Sequence, residues 1–328
     1  MRAEREVRKE VRSAGCGVLG VLSALVIAGC SGERPAQTPA ADAAPAAAAP
    51  AAAPAPRQVA VVRGLQHPES AHYDADLDVW FVSNINGSPV AKDNNGWIAR
   101  LHADGSVDSL HFIQSGRDGV RLDGPKGIAI VGDTLWVADI DAVRAFNKRT
   151  GHPIATVSLV GKAKFLNDAA PGPDGIYTTD TGIESKKDGS LAHPGPDRVF
   201  RIGPGHKATI VADTDSLEGP NGITWDAEGK RFVIVPFFGK TLRGWTPGSA
   251  PVAIGTGPGQ EDGVEPLGGG KFLVTSWADS SLFVLDGGKT SRVLGNLPSP
   301  ADIGWDARRR HVAVPLLLED RMEIWELP

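Results

Sequence analysis

Residues 219–237 read GPNGITWDAEGKRFVIVPF, and residues 299–316 read SPADIGWDARRRHVAVPL. Both run from a turn dipeptide through one variable residue into a short strand, a Trp-Asp-Ala turn and a second apolar strand. The phrase recurs as HPESAHYDADLDVWFVSN from 67, GPKGIAIVGDTLWVADI from 124, FLNDAAPGPDGIYTTDT from 165 and EDGVEPLGGGKFLVTSW from 261, which makes six copies. A third apolar run follows each copy (WIARLH, AVRAFN, RVFRIG, TLRGWT, SLFVLD, MEIWEL), and a fourth follows where the chain continues, as in VDSLHFIQ and HKATIVAD. These runs are short, β-branched or aromatic, and punctuated by Gly, Pro, Asn and Asp, with no helical periodicity after residue 58. Four short antiparallel strands repeated six times predict an all-β chain folded as a six-bladed β-propeller. The last copy stops after three strands at Pro328, while QVAVVRGL (58–65) precedes the first copy without a partner. That N-terminal strand is expected to complete the last blade, leaving no interior sheet edge open.

The ends of the chain set the context. Residues 1–29 carry a basic start (Arg2, Arg5, Arg8, Lys9, Arg12) and the apolar run GVLGVLSALVIA, too short to span a bilayer, and end before Cys30. Ile27-Ala28-Gly29-Cys30 resembles a bacterial lipobox; an ordinary secretory signal ending near a cysteine is the alternative. The lipobox reading makes Cys30 the lipid attachment site and implies a bacterial envelope lipoprotein. Because Ser31 rather than Asp follows the cysteine, it implies the periplasmic face of the outer membrane. Residues 30–57, nearly all Ala and Pro beyond the cysteine, cannot bury a core and read as an extended tether. The propeller then occupies 58–328. A net charge of −5 argues against nucleic acid as a partner. The only cysteines are Cys16 and Cys30, so the folded part has neither a disulfide nor a thiol nucleophile. Closed blades demand no partner, and a monomer joined to the membrane only through its lipid is expected.

The variable position of the repeat forms one column: Glu69, Lys126, Asn167, Asn221, Asp262 and Ala301. The spacings are 57, 41, 54, 41 and 39 residues, yet a propeller brings the starts of its innermost strands together around the channel mouth. Four of the six offer oxygen donors, the ligand type that hard divalent cations take. Glu69 and Asp262 would repel each other without a cation between them. The plainer reading is that Asn-Asp, Asn-Gly and Asp-Gly are turn dipeptides. Four donors in one column favour the cation. Asp74-Ala75-Asp76-Leu77-Asp78 lacks the Gly and Glu spacing of a calcium loop and sits in a hairpin turn.

With GLQHPESAHYD, FLNDAAPGPDGIY, GPNGITWD and EDGV in this order, the chain resembles the SMP-30/gluconolactonase/LRE family across 58–328, with the paraoxonase group a more distant relation. The resemblance implies a six-bladed propeller with a divalent metal in its channel, most often Ca²⁺, with Mg²⁺, Mn²⁺ or Zn²⁺ as alternatives. It implies Glu69, Asn221 and Asp262 as metal ligands. Asn167 would be a further ligand or a substrate contact, with Asp168 supporting it and Asp262 doubling as general base. The reaction implied is metal-assisted hydrolysis of a lactone or related ester. In sugar-lactone members an arginine stands two residues before the position of Asn167. Here Phe165 occupies it, which weakens gluconolactone as the substrate. Lys126 would meet a substrate carboxylate or neutralise the two acids.

The long segments 85–96 and 181–197 join second to third strands on the same face and read as a lid over the mouth or as plain surface loops. His67 and His193 are within sequence reach of the pocket. Asn84, Asp139, Asp180 and Trp277 end second strands and either line it or cap turns. There is no G-x-S-x-G, phosphate-loop, H-E-x-x-H or dinucleotide motif. A non-enzymatic propeller binding a small ligand, glycan or protein on the same face is the rival reading, since one fold hosts many functions. A lyase or synthase of the strictosidine-synthase type would need a catalytic acid that the sequence does not identify.

Overall fold

The computed structural model describes residues 54–328, so the signal segment, Cys30 and most of the Ala/Pro tether lie outside the described residues. The described chain forms six four-stranded antiparallel sheets arranged as a propeller. Blade 1 comprises Pro68–Asp74, Val79–Asn84, Trp97–His102 and Val107–Gln114. Blade 2 comprises Pro125–Val131, Thr134–Asp139, Ala142–Asn147 and Pro153–Ser158; blade 3, Leu166–Gly172, Gly175–Asp180, Arg198–Gly203 and Lys207–Asp213. Blade 4 comprises Pro220–Asp226, Arg231–Pro236, Thr241–Trp245 and Val252–Thr256; blade 5, Glu261–Gly268, Lys271–Ser276, Ser281–Asp286 and Lys289–Leu294. Blade 6 has Gly304–Asp306, His311–Leu316 and Arg321–Glu326 from the C-terminal end, with Arg57–Arg63 hydrogen-bonded along Arg321–Glu326 as its outer strand. Helix is confined to three single turns, among them Leu317–Glu319.

The repeated phrase explains why each blade forms. The aspartate of the Tyr/Trp-Asp-Ala turn caps its own hairpin. Asp74 accepts from the N–H groups of Asp76 and Leu77, Asp226 from Gly229, and Asp306 from Arg308 and Arg309. Asp74 is further held by Lys148 at 2.7 Å, so this acidic stretch is turn chemistry. Second strands such as Val79–Asn84 are buried throughout, because the sheets on both sides cover their two faces. Apolar side chains between neighbouring blades make the core. Trp80 packs with Ala313 and Met322 where blades 1 and 6 meet, and Phe232 packs with Tyr177 and Trp245 between blades 3 and 4.

Toward the channel the innermost strands lie almost in backbone contact, and polar groups tie them. The Ser70 hydroxyl donates to Asp302 at 2.5 Å, joining blades 1 and 6, and the Thr275 hydroxyl donates to the Ala301 carbonyl at 3.0 Å. At the turns, Arg309 of blade 6 donates to both carboxylate oxygens of Asp78 in blade 1 at 2.8 Å each.

Candidate functional site

In each of the first five blades the innermost strand slips register at the variable column. Pairing is interrupted between Pro68 and Ser70, Pro125 and Ile128, Leu166 and Ala169, Pro220 and Ile223, and Glu261 and Val264. Glu69, Lys126, Asn167, Asn221 and Asp262 therefore all sit in β-bulges, which re-aim a side chain away from the regular alternation of a strand. The dipeptides Lys126-Gly127, Asn221-Gly222 and Asp262-Gly263 are thus strand residues rather than turns. Their glycines serve close packing: a Cβ on Gly222 would stand 2.3 Å from the Asp262 carbonyl oxygen, and one on Gly127 2.2 Å from the Asp168 carboxylate.

The five bulged side chains converge on one cavity of about 320 Å³, and the sixth member of the column, Ala301, contributes no donor. His67, Phe165 and Trp277 line the same cavity. All five column residues are buried, from 1 % exposed for Lys126 to 6 % for Asn167. Three cavity-lining polar atoms have no hydrogen-bond partner: Glu69 Oε2, Asp262 Oδ1 and His67 Nδ1. Buried polar atoms are nearly always satisfied, so three unpartnered atoms in one cavity mark it as a candidate ligand site.

The remaining hydrogen bonds hold the donors in place. Asp262 Oδ2 accepts from Trp277 Nε1 at 2.9 Å, and Asn167 Nδ2 donates to the Thr181 hydroxyl at 3.0 Å, leaving the Asn167 carbonyl free. Lys126 Nζ donates to the carbonyls of Gly124 (3.0 Å) and Pro89 (3.2 Å) and sits 4.2 Å from the centroid of the Phe165 ring. It makes no ion pair with Glu69 or Asp262. Burial, reinforced by the charge of Asp302, pushes the Asp262 carboxyl up to about 8; Trp277 and the nearby Asn221 amide pull it only partly back. Glu69 is raised well above the usual carboxylate range by burial and by Asp262, against a smaller opposing pull from Lys126. Burial lowers Lys126 to about 8 despite the acids around it.

Asp168 differs from expectation. Its carboxylate lines a separate cavity farther along the innermost strands, shared with His72, Glu265 and Asp302. There it accepts the N–H groups of Ala169 (2.6 Å) and Ile223 (2.7 Å), clamping blade 3 to blade 4. Three of the four residues that end second strands cap loops. Asn84 accepts from the Gln66 N–H, Asp139 from Asp123 and Gly124, and Asp180 from Phe165. His193 stays outside the cavity, bonded to Asp197 at 2.6 Å and stacked on Phe238. Both long segments do reach the cavity, through Gly87 and Pro89 in one case and Ile183 and Leu191 in the other.

A second column completes the site. Ile85, Thr181, Phe237, Trp277 and Leu317 each follow directly on a second strand; the first four N–H groups donate to the carbonyl of the residue before their blade's innermost strand, at 2.8–3.1 Å, and that of Leu317 donates to the Ser299 carbonyl at 3.0 Å. Ile85, Phe237, Trp277 and Leu317 line the cavity. Aligning second-strand ends would have exposed this column, but its apolar members read as strand continuation.

Among the described residues no group of three or more His, Cys, Asp or Glu side chains is placed to hold a metal ion, so a cation here would depend on the asparagine oxygens. The donors present, two carboxylates with orphaned oxygens and two amides, suit a hard divalent cation.

No family model and no curated protein matches the sequence. Solved structures do match in fold. A gluconolactonase from Xanthomonas campestris superposes with a TM-score of 0.62 at 15% identity, covering 83% of this chain and 89% of that one. A putative gluconolactonase gives 0.61 at 16%, covering 83% and 92%. Streptogramin B lyase gives 0.56 at 12%, covering 83% and 97%. At these identities the likeness establishes the propeller fold.

Proposed function

We propose that the chain is a divalent-cation-dependent hydrolase of lactones or related esters. The orphaned carboxylate oxygens of Glu69 and Asp262 in one buried cavity carry this reading, and the gluconolactonase fold neighbours agree with it. Glu69, Asn221 and Asp262, with Asn167, would hold the cation, Ca²⁺ by the hardness of the donors. When bound, it supplies Lewis-acid polarisation of the substrate carbonyl and charge for the developing oxyanion. Asp262 takes a proton from the attacking water. The charge of a bound cation would keep the Asp262 carboxylate ionised, against the upward push of burial, and so able to accept that proton near neutral pH. Trp277 fixes the Asp262 carboxylate through Oδ2, so Oδ1 remains for cation or water. The same proposal places the domain in the bacterial envelope, tethered through Cys30.

Calorimetric titration of chelator-stripped protein with Ca²⁺, Mn²⁺ and Zn²⁺, beside Asp262→Ala, followed by a lactone and ester panel, tests it. Saturable binding lost in the variant, with cation-dependent turnover, is expected. Binding without turnover on any ester would instead favour a ligand-binding propeller, and no binding would reduce the column to packing chemistry.

A further inference from the structure

The cavity has two tiers. Its deep tier is the ring of bulged donors, all at most 6 % exposed. Above it stands the apolar second column, continued outward by side chains from the long segment 181–197 and the single helical turn Leu317–Glu319. Phe165 and Ile183 are buried, Phe237 and Leu317 are half-buried, and Leu191 and Leu318 are 49% and 64% exposed at the mouth. Phe238, half exposed, is stacked on His193 beside this mouth. Most other large apolar side chains left in water lie singly on outer strands, such as Val107, Ile154 and Val252.

An exposed apolar cluster rimming a buried polar floor marks a ligand-binding groove rather than ordinary surface. A polyhydroxylated ligand would bring hydroxyl groups against Phe237, Leu317 and Leu318, which offer them no hydrogen bonds, and each unpaired polar group costs binding free energy. An alkyl or aryl arm would cover the same side chains and release water. The donors at the bottom would at the same time meet a single polar head.

We infer that this site takes amphiphilic substrates: a lactone or ester head seated at the bulged donors, carrying an apolar arm along the Phe237, Leu317 and Leu318 wall toward Leu191. For turnover this rests on the hydrolase reading above; for binding it does not. Leu191 and Leu318 read the outer part of the arm, Phe237 and Leu317 the inner part, and the ring of donors reads only the head.

The test uses γ-lactams with alkyl substituents from methyl to octyl, which keep the head but resist hydrolysis. They are titrated with Ca²⁺ present, and the matching γ-lactones and glucono-δ-lactone serve as substrates. Affinity for the lactams is expected to climb about two- to fourfold per methylene until the arm outruns the wall. The double variant Leu191→Ser, Leu318→Ser, both in exposed positions that spare the core, is expected to flatten the climb beyond the shorter arms while keeping its thermal midpoint. Rising lactam affinity without turnover of any lactone supports the amphiphile and removes the hydrolase. Turnover of glucono-δ-lactone with no gain from alkyl arms keeps the hydrolase and overturns the amphiphile. A climb unchanged in the double variant also overturns it, since the arm would then lie elsewhere.

Discussion

Replacing Asp262 by Asn separates what the folded chain loses by burying this carboxyl from what a cation gains from it. The Asp262 carboxyl is 5 % exposed and its pKa rises from 3.8 to about 8 on folding. The folded protein therefore holds a proton that the unfolded chain has released throughout that window. Stability must fall as pH rises from about 4, and level off above about 8. At roughly 1.4 kcal/mol per unit, the ceiling of this penalty is about 6 kcal/mol. Asp302 and Glu69 share the same repulsion, so about 2 to 4 kcal/mol is assignable to Asp262 alone. Asparagine keeps the shape and the acceptor for Trp277 while removing the titration. In chelator at pH 8, Asp262→Asn should then melt higher than the wild-type chain by roughly 4–16 °C, at about 2–4 °C per kcal/mol for a domain of this size.

Cations invert the order. On the cation-site proposal Ca²⁺ would bind the ionised form, so its stabilisation of the wild-type chain should grow with pH across the same window. The variant should gain little from Ca²⁺ at any pH. Differential scanning calorimetry at pH 5, 6, 7 and 8, with chelator and with saturating Ca²⁺, reads both effects. If the variant in chelator is no more stable than wild type at pH 8, or keeps the same slope with pH, the Asp262 carboxyl carries no burial penalty and the argument for an ion-seeking site fails with it.

Three further outcomes follow from the packing. Gly222→Ala puts a methyl group 2.3 Å from the Asp262 carbonyl oxygen and 3.0 Å from Val235; it should cost about 3 kcal/mol and weaken Ca²⁺ binding, read by urea unfolding and calorimetry. Deleting Arg57–Arg63 strips the outer strand from Arg321–Glu326 and removes the buried Val62. The thermal midpoint should drop by more than 10 °C and light scattering should show association through the bared edge, whereas an unchanged midpoint would deny the strand any role. Arg309→Lys loses the two-pronged grip on Asp78 and the contacts to Tyr73 and Asp306. For this partly exposed cluster the cost should be about 1 kcal/mol and should shrink in high salt.

The propeller was legible because its grammar is local. Turn residues punctuate short β-branched runs, the Trp-Asp-Ala turn recurs, and the unpaired QVAVVRGL run matches the C-terminal blade's missing strand. The donor column was legible for the same reason, as the variable slot in a repeated frame. The direction of each side chain was not, because that depends on register, and a one-residue slip sends it to the other face. Asp168 shows this best. It follows Asn167 in the slot filled by Gly127, Gly222 and Gly263 in other blades, and its carboxylate turns along the channel to hold Ile223. A polar residue where other copies need glycine was the available signal for an interblade clamp. Ser70 and Asp302, which bond to each other across blades 1 and 6, repeat it.

This two-residue alternation also explains how one repeat supports both scaffold and chemistry. The slot after the column lies against the neighbouring blade, so it holds glycine or a polar group that bonds across to that blade, to its backbone from Asp168 and side chain to side chain between Ser70 and Asp302, and it is set by packing. In the first five blades the column is lifted out of the ladder by the bulge, so its side chain faces the cavity and is free to vary as Glu, Lys, Asn or Asp without disturbing the blade. Residues that directly follow second strands behave the same way: their N–H groups make one repeated bond while their side chains range from Thr181 to Trp277. On the amphiphile proposal, head recognition and arm recognition would be carried on two separate rings of the same fold. Substitutions at Phe237 or Leu317 should therefore change what the cavity accepts while the Glu69–Asn221–Asp262 set keeps its affinity for a cation.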